Sequence, residues 1–146
     1  MLLEKDRTNK SIIFFLLVMT CLKIWLVLGQ SMTVYGNFVH DDRLFVNLAN
    51  FILNGQWLGE YNNLTLAKGP FYSIWMAMSF ISGLQLLISE HIFYIFSVLL
   101  LILALRPVLS RWSTAFLYII LLFNPISFAD GPMTRVMREG IYPALT

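Results

Sequence analysis

The chain has 146 residues, of which 58% are hydrophobic and 12% are charged, and its mean hydropathy is +0.73. These values exclude an ordinary soluble domain and predict a membrane protein. Ten Lys and Arg residues against eight Asp and Glu residues give a net charge of +2. Because the basic residues are not clustered, we expect no nucleic-acid partner.

The first predicted transmembrane helix covers about residues 11–34. Roughly 20 helical residues are enough to cross a hydrocarbon core of about 30 Å. Lys5, Arg7 and Lys10 precede it, and positive charge is retained on the cytoplasmic side of a membrane. We therefore predict an uncleaved anchor with a cytoplasmic N-terminus. Within this anchor we expect Lys23 to face the helix bundle or to snorkel to the surface, rather than to act in catalysis.

An external loop of about residues 35–68 follows and begins with an amphipathic helix. Its apolar positions recur at helical spacing: Leu44, Phe45, Leu48, Phe51 and Ile52. A helix of this kind after a span is expected to lie flat on the bilayer, with its apolar side in the acyl boundary. Gly55 is a natural end for it.

Two adjacent carboxylates, Asp41 and Asp42, stand at the start of this helix and follow His40. One explanation is local, because Asp is a preferred N-cap and negative charge complements the helix dipole. A cap needs only one Asp, however. The alternative is a site at the water edge of the membrane, where carboxylate oxygens hold a divalent cation beside a phosphate.

Three further apolar stretches cover about residues 69–89, 91–105 and 112–129. If all three cross the membrane, the connection with Arg106 and Arg111 falls outside the cell, against the tendency of positive charge to stay inside. If residues 69–89 are interfacial or re-entrant, that connection becomes cytoplasmic. The many Gly, Pro and Ser residues in 69–89 favour this second layout, because a broken helix at membrane depth needs protein or water around it.

A second external loop, about residues 130–142, carries Arg135, Arg138 and Glu139. The run is typical of an ordinary charged loop, in which Arg135 and Glu139 form an i, i+4 pair. It also fits a phosphate site, because guanidinium groups bind phosphate oxygens well. The predicted fold is therefore all-α, a single polytopic membrane domain with three or four transmembrane helices.

The order of these features resembles the polytopic glycosyltransferases of the GT-C superfamily. The likeness is greatest to the branch of protein O-mannosyltransferases and aminoarabinose transferases. In that branch the first external loop has an Asp-Glu-like pair, which Asp41 and Asp42 match with Asp in place of Glu. A Lys-Pro-Pro-like turn is matched in part by Lys68-Gly69-Pro70, and an acid near arginines in a later loop is matched by Glu139.

The resemblance implies inverting transfer of a sugar from a polyprenyl-phosphate donor to a hydroxyl acceptor at the external membrane face. Asp41 is then the general base, and Asp42 and Glu139 assist it or hold a divalent metal such as Mg²⁺ or Mn²⁺. Lys68, Arg135 and Arg138 are expected to bind the departing lipid phosphate.

Members of the superfamily have many more spans, so we expect this chain to be an N-terminal fragment or one part of a split enzyme completed by a second polypeptide. The expected location is the bacterial inner (plasma) membrane, with membrane lipid as a partner. The competing interpretation is a small non-enzymatic membrane protein, such as a subunit, an assembly factor or a piece of a transporter. In that case the charges are helix caps and interfacial anchors.

Overall fold

The computed structural model describes residues 2–32, 41–57, 59, 69–125, 136 and 141–145, with side chains for all of these except 2–9, 41 and 142. The helices are α1 (Leu2–Leu28), α2 (Asp41–Leu53), α3 (Phe71–Ile81), α4 (Leu86–Leu105), α5 (Arg111–Leu122) and α6 (Tyr142–Leu145). Within these described ranges there is no strand. The all-helical prediction is confirmed for this part of the chain.

Among the described residues, two helices are long and apolar enough to cross a membrane: the segment Lys10–Leu28 of α1, and α4. At about 1.5 Å per residue each is close to 30 Å long, which matches the hydrocarbon core. Helices α3 and α5 are apolar but shorter. The two long helices support a membrane location. The number of transmembrane helices, three or four, and their orientation remain predictions.

The turn between α3 and α4 lies at residues 82–85, inside the stretch predicted as one segment of 69–89. Gly83 has a φ of 71°, in the left-handed region that favours glycine. The amide of Leu84 donates to the carbonyl of Ser79 and that of Gly83 to the carbonyl of Phe80. This is a Schellman ending, which satisfies carbonyl groups at the end of α3. Residues 86–89 therefore belong to the same helix as residues 90–105.

Helix α4 is the centre of the described structure and packs against α1, α3, α5 and α6. Its buried side chains form one apolar cluster with α5: Tyr94, Ile95, Val98, Ile102, Tyr118 and Leu122. Helix α1 covers this cluster with Leu16, Met19 and Ile24. A short connection after Leu105 makes α4 and α5 neighbours, and the hydroxyl of Tyr94 donates to the carbonyl of Leu121 at 2.6 Å.

Helix α2 packs on α3, and this contact corrects one expectation. The side of α2 that carries Phe45, Leu48 and Ala49 is buried. The rings of Phe45 and Tyr72 meet edge to face, with centroids 5.1 Å apart. The helical period was predicted correctly, but much of the apolar side contacts protein rather than the acyl boundary. Periodicity shows which side of a helix is apolar and not what covers that side.

Candidate functional site

The structure describes only part of the site predicted from the sequence. Asp41 is the first residue of α2, but its side chain lies outside the described part of the structure. His40 lies wholly outside it, as do the other predicted site residues: Lys68, Arg135, Arg138 and Glu139. Convergence of Asp41 and Glu139 in one pocket therefore stays a prediction. Asp42 is the predicted site residue whose side chain is described.

Asp42 lies inside the protein and is only 1% exposed. It precedes Phe45 by three residues, so both side chains are on the same face of α2. That face packs on α3, where Phe45 contacts Tyr72. A carboxylate that served only as a surface cap would remain in water, because an exposed position avoids the cost of removing its charge from solvent. The burial of Asp42 thus places an acid on a side of α2 that the protein covers.

A second buried acid, Glu90, lies on α4 and contacts Tyr72, the residue on which Phe45 packs. The hydroxyl of Tyr72 donates a hydrogen bond of 2.9 Å to Oε1 of Glu90, which is 2% exposed. In the part of the chain that the structure describes, Oε2 of Glu90 and the buried Oγ of Ser73 have no hydrogen-bond partner. Polar atoms of this kind are uncommon in folded proteins and mark places where a polar ligand or a proton could be held.

Around Glu90 the first turns of α4 are enclosed on several sides. Ser89 accepts a hydrogen bond from Nε1 of Trp75 at 3.1 Å, and its hydroxyl lies 2.7 Å from that of Ser79. Nδ1 of His91 lies 2.9 Å from the carbonyl of Leu87. Since neighbouring helical residues point about 100° apart, burial of Ser89, Glu90 and His91 means that α4 has protein on most sides at this level.

Glu90 and His91 were not recognised as site residues from the sequence, where Glu90 fell between the predicted stretches 69–89 and 91–105 and His91 was the first residue of the second. A signal for them exists in the sequence. Glu90 is the only acid between Gly69 and Leu105, and an ionisable residue inside an apolar helix marks a functional or structural contact. The turn between α3 and α4 is at Gly83, seven residues before Glu90.

Lys23 is fully buried, as is Val27 one turn further along α1. Of the two positions expected for this cation, the bundle-facing one is therefore the one observed. Snorkelling to the surface would leave its ammonium group exposed to water. Lys23 is a third charged side chain, from a third helix, that the protein encloses.

The described part of the site provides hydrogen-bonding groups from α3 and α4 around Tyr72 and Glu90, and the ring of Phe45 on α2 packs on Tyr72. In the ranges with described side chains, no three residues of His, Cys, Asp and Glu form a group that could hold a metal ion. The predicted divalent cation depends on Asp41 and Glu139, whose side chains lie outside those ranges. Mg²⁺ or Mn²⁺ binding therefore remains a prediction from the resemblance.

No protein family model, no curated protein and no solved structure matches this chain. In its described parts the protein is helical, with two helices long and apolar enough to span a membrane and with several buried ionisable side chains.

Proposed function

We propose that this chain acts in sugar transfer as a GT-C-type membrane glycosyltransferase, using a polyprenyl-phosphate-linked donor and a hydroxyl acceptor. The supporting observation is the burial of Asp42, which packing of α2 on α3 holds at the start of α2. A general base or its neighbour must be fixed in position, because proton transfer requires hydrogen-bond reach in the transition state. The proposed location is the bacterial inner membrane, with the N-terminus cytoplasmic and the active face external.

In the proposed reaction Asp41 takes the proton of the acceptor hydroxyl while the hydroxyl oxygen attacks the anomeric carbon of the donor sugar. The bond from that carbon to the phosphate oxygen breaks, so polyprenyl phosphate leaves and the anomeric centre is inverted. Lys68, Arg135 and Arg138 stabilise the negative charge on the departing phosphate. Asp42 and Glu139 orient the acceptor or, with Asp41, hold a divalent cation. A second polypeptide that completes the donor pocket is part of this proposal.

The sharpest test is Asp41→Asn in membranes that contain the chain and receive a radiolabelled polyprenyl-phosphate sugar. Asn keeps the size of the side chain and removes the base, so we expect the transfer rate to fall about 100-fold or more. Arg43→Gln is the matched control, because Arg43 lies two residues away and is exposed. Transfer by Asp41→Asn at the rate of the unaltered chain would defeat the assigned role.

Sidedness is a second requirement of the proposal. Because Asp42 is buried, a labelling reagent is better directed at its exposed neighbour, through Arg43→Cys in a Cys21→Ser background. A second variant with Arg138→Cys in the same background reports the later loop. We expect a membrane-impermeant thiol reagent to label both positions from the external side. Labelling from opposite sides would rule out a shared active site.

The second candidate function is a non-enzymatic membrane subunit. It is favoured by the near-complete burial of Glu90 and Lys23, two ionisable side chains that the proposed reaction does not use and that the packed helices enclose. For this function Asp42→Asn and Glu90→Gln change the stability of the chain or its assembly. In the membrane assay described for Asp41→Asn, we then expect the transfer rate per folded molecule to be unchanged by substitution of either Asp41 or Asp42.

A further inference from the structure

Glu90 is a buried acid that the proposed reaction does not use. It is the fifth residue of α4 and is 2% exposed. Gln85, which directly precedes α4, is exposed and lies about 7.5 Å away along the helix axis. Glu90 is therefore enclosed by protein at a short distance from the exposed end of α4.

The two carboxyl oxygens of Glu90 have different surroundings. Oε1 accepts the 2.9 Å hydrogen bond from the hydroxyl of Tyr72. Oε2 is fully buried and, in the part of the chain that the structure describes, has no hydrogen-bond partner. An ionised carboxylate shares its charge between both oxygens and needs donors or a cation at each of them. The arrangement around Glu90 instead fits a neutral carboxyl group, which has one carbonyl oxygen and one protonated oxygen.

The neighbouring ionisable groups do not supply a partner for Oε2. Those that are buried on α4 and on the helices packed against it include, among the described residues, Lys23, Tyr72, His91, Tyr94 and Tyr118. The hydroxyl groups of Tyr94 and Tyr118 bond to α5 and to α1, and Nδ1 of His91 contacts a carbonyl within α4. Lys23 is not within hydrogen-bond distance of Oε2. The helix dipole of α4 contributes little, because its effect falls off within the first turn.

Burial without a partner at Oε2 indicates which ligand this oxygen binds. An isolated charge in an apolar interior costs much more free energy than a neutral hydroxyl group without an acceptor, so a carboxyl group in such a place takes up a proton. A proton adds almost no volume. A metal ion or a polar molecule at the buried Oε2 would have to displace packed side chains.

We propose that Glu90 is a proton-binding site that is neutral at pH 7, with the proton on Oε2 and with Oε1 as the carbonyl oxygen that accepts from Tyr72. An exposed glutamate is ionised at this pH. Release of the proton would leave an unpaired charge next to the contact of Tyr72 with α4. This inference does not rest on sugar transfer, because a non-enzymatic subunit would contain the same site.

Infrared absorption of the full chain tests the charge state of Glu90 directly. The carbonyl stretch of a protonated carboxyl group is separate from the bands of carboxylates, and dodecyl maltoside micelles add no carbonyl absorption of their own. At pH 7 we expect a band of this kind that is lost in Glu90→Gln. In Tyr72→Phe we expect the band to move to higher wavenumber, because the carbonyl oxygen loses its hydrogen bond. Asp42→Asn, at another buried acid, is the matched control and is expected to leave this band in place.

An isotope label keeps the test decisive if Glu90→Gln does not fold, which circular dichroism reports. Cell-free synthesis of the unaltered chain with glutamate that carries a heavy carbon isotope in its side-chain carboxyl group is expected to move the band to lower wavenumber. The proposal is overturned if no protonated-carboxyl band at pH 7 responds to this label, or if a folded Glu90→Gln variant keeps the band. A band that stays at the same wavenumber in Tyr72→Phe overturns it as well.

Discussion

The hydroxyl of Tyr72 donates a 2.9 Å hydrogen bond to Oε1 of Glu90 and joins α3 to α4 in the protein interior. The ring of the same tyrosine packs edge to face on Phe45 of α2. Tyr72 therefore contacts α2 through its ring and α4 through its hydroxyl. Phe45 lies one turn after Asp41 and Asp42, so this ring contact joins the first part of α2 to α3.

Loss of the Tyr72 hydroxyl is expected to destabilise the protein. Tyr72→Phe removes the donor to a buried carboxyl group, and we expect the free energy of unfolding to fall by about 1.5–3 kcal/mol. In a Glu90→Leu background the loss is expected to be much smaller, because the acceptor of this hydrogen bond is then absent. Unfolding of the four variants in mixed detergent micelles gives the coupling energy. An equal loss in both backgrounds would mean that this hydrogen bond does not stabilise the fold.

The attachment of α2 is expected to depend on Phe45 far more than on Phe51. Phe45 has no exposed surface, and we expect Phe45→Ala to cost about 3–5 kcal/mol through lost burial and a residual cavity. Phe51, on the same helix, is 37% exposed, so Phe51→Ala is the control with a smaller loss. Hydrogen exchange of the α2 amides measures both variants. Similar protection in the two variants would contradict the observed packing of α2 on α3.

Ser89 is expected to hold α3 and α4 together through its hydroxyl. Ser89→Ala leaves Nε1 of Trp75 without its acceptor and removes a contact of Ser79, at an expected cost of about 1–3 kcal/mol. Ser82→Ala is the control, because the hydroxyl of Ser82 donates within the end of α3, to the carbonyl of Ser79. Free energies of unfolding compare the two. A loss for Ser82→Ala as large as that for Ser89→Ala would argue against the interhelical role.

The contact of α1 with α5 is expected to require Thr20. Its hydroxyl lies 2.6 Å from that of Tyr118, which is buried. Thr20→Val keeps the shape of the side chain, and we expect a loss of about 0.5–1.5 kcal/mol, which is typical of one intramolecular hydrogen bond. Cys21→Ala alters the next residue, which is exposed, and is expected to have little effect. Thermal unfolding in lipid measures both; equal midpoints would show that the bond contributes nothing.

Much of the helical structure follows from local patterns. The apolar stretch of about residues 11–34 predicts α1, which in the structure ends at Leu28. The spacing of Phe45, Leu48 and Ile52 predicts α2. Both patterns depend only on the geometry of one helix. The position of the α3–α4 turn was harder to predict from the sequence. Ser89, Glu90 and His91 interrupt the apolar run and suggest a boundary, yet the chain turns at Gly83, where a left-handed conformation costs little.

The sequence by itself determined that the chain is helical and apolar, where most helices lie and which acids stand at the start of α2. These properties depend on composition and on residues a few positions apart. Only the tertiary structure decided that the apolar side of α2 faces α3 and that Asp42, Lys23 and Glu90 are enclosed. The reason is physical: burial of a charge and a hydrogen bond such as that from Tyr72 to Glu90 depend on helices meeting in space, and helical periodicity does not specify the partner of a face.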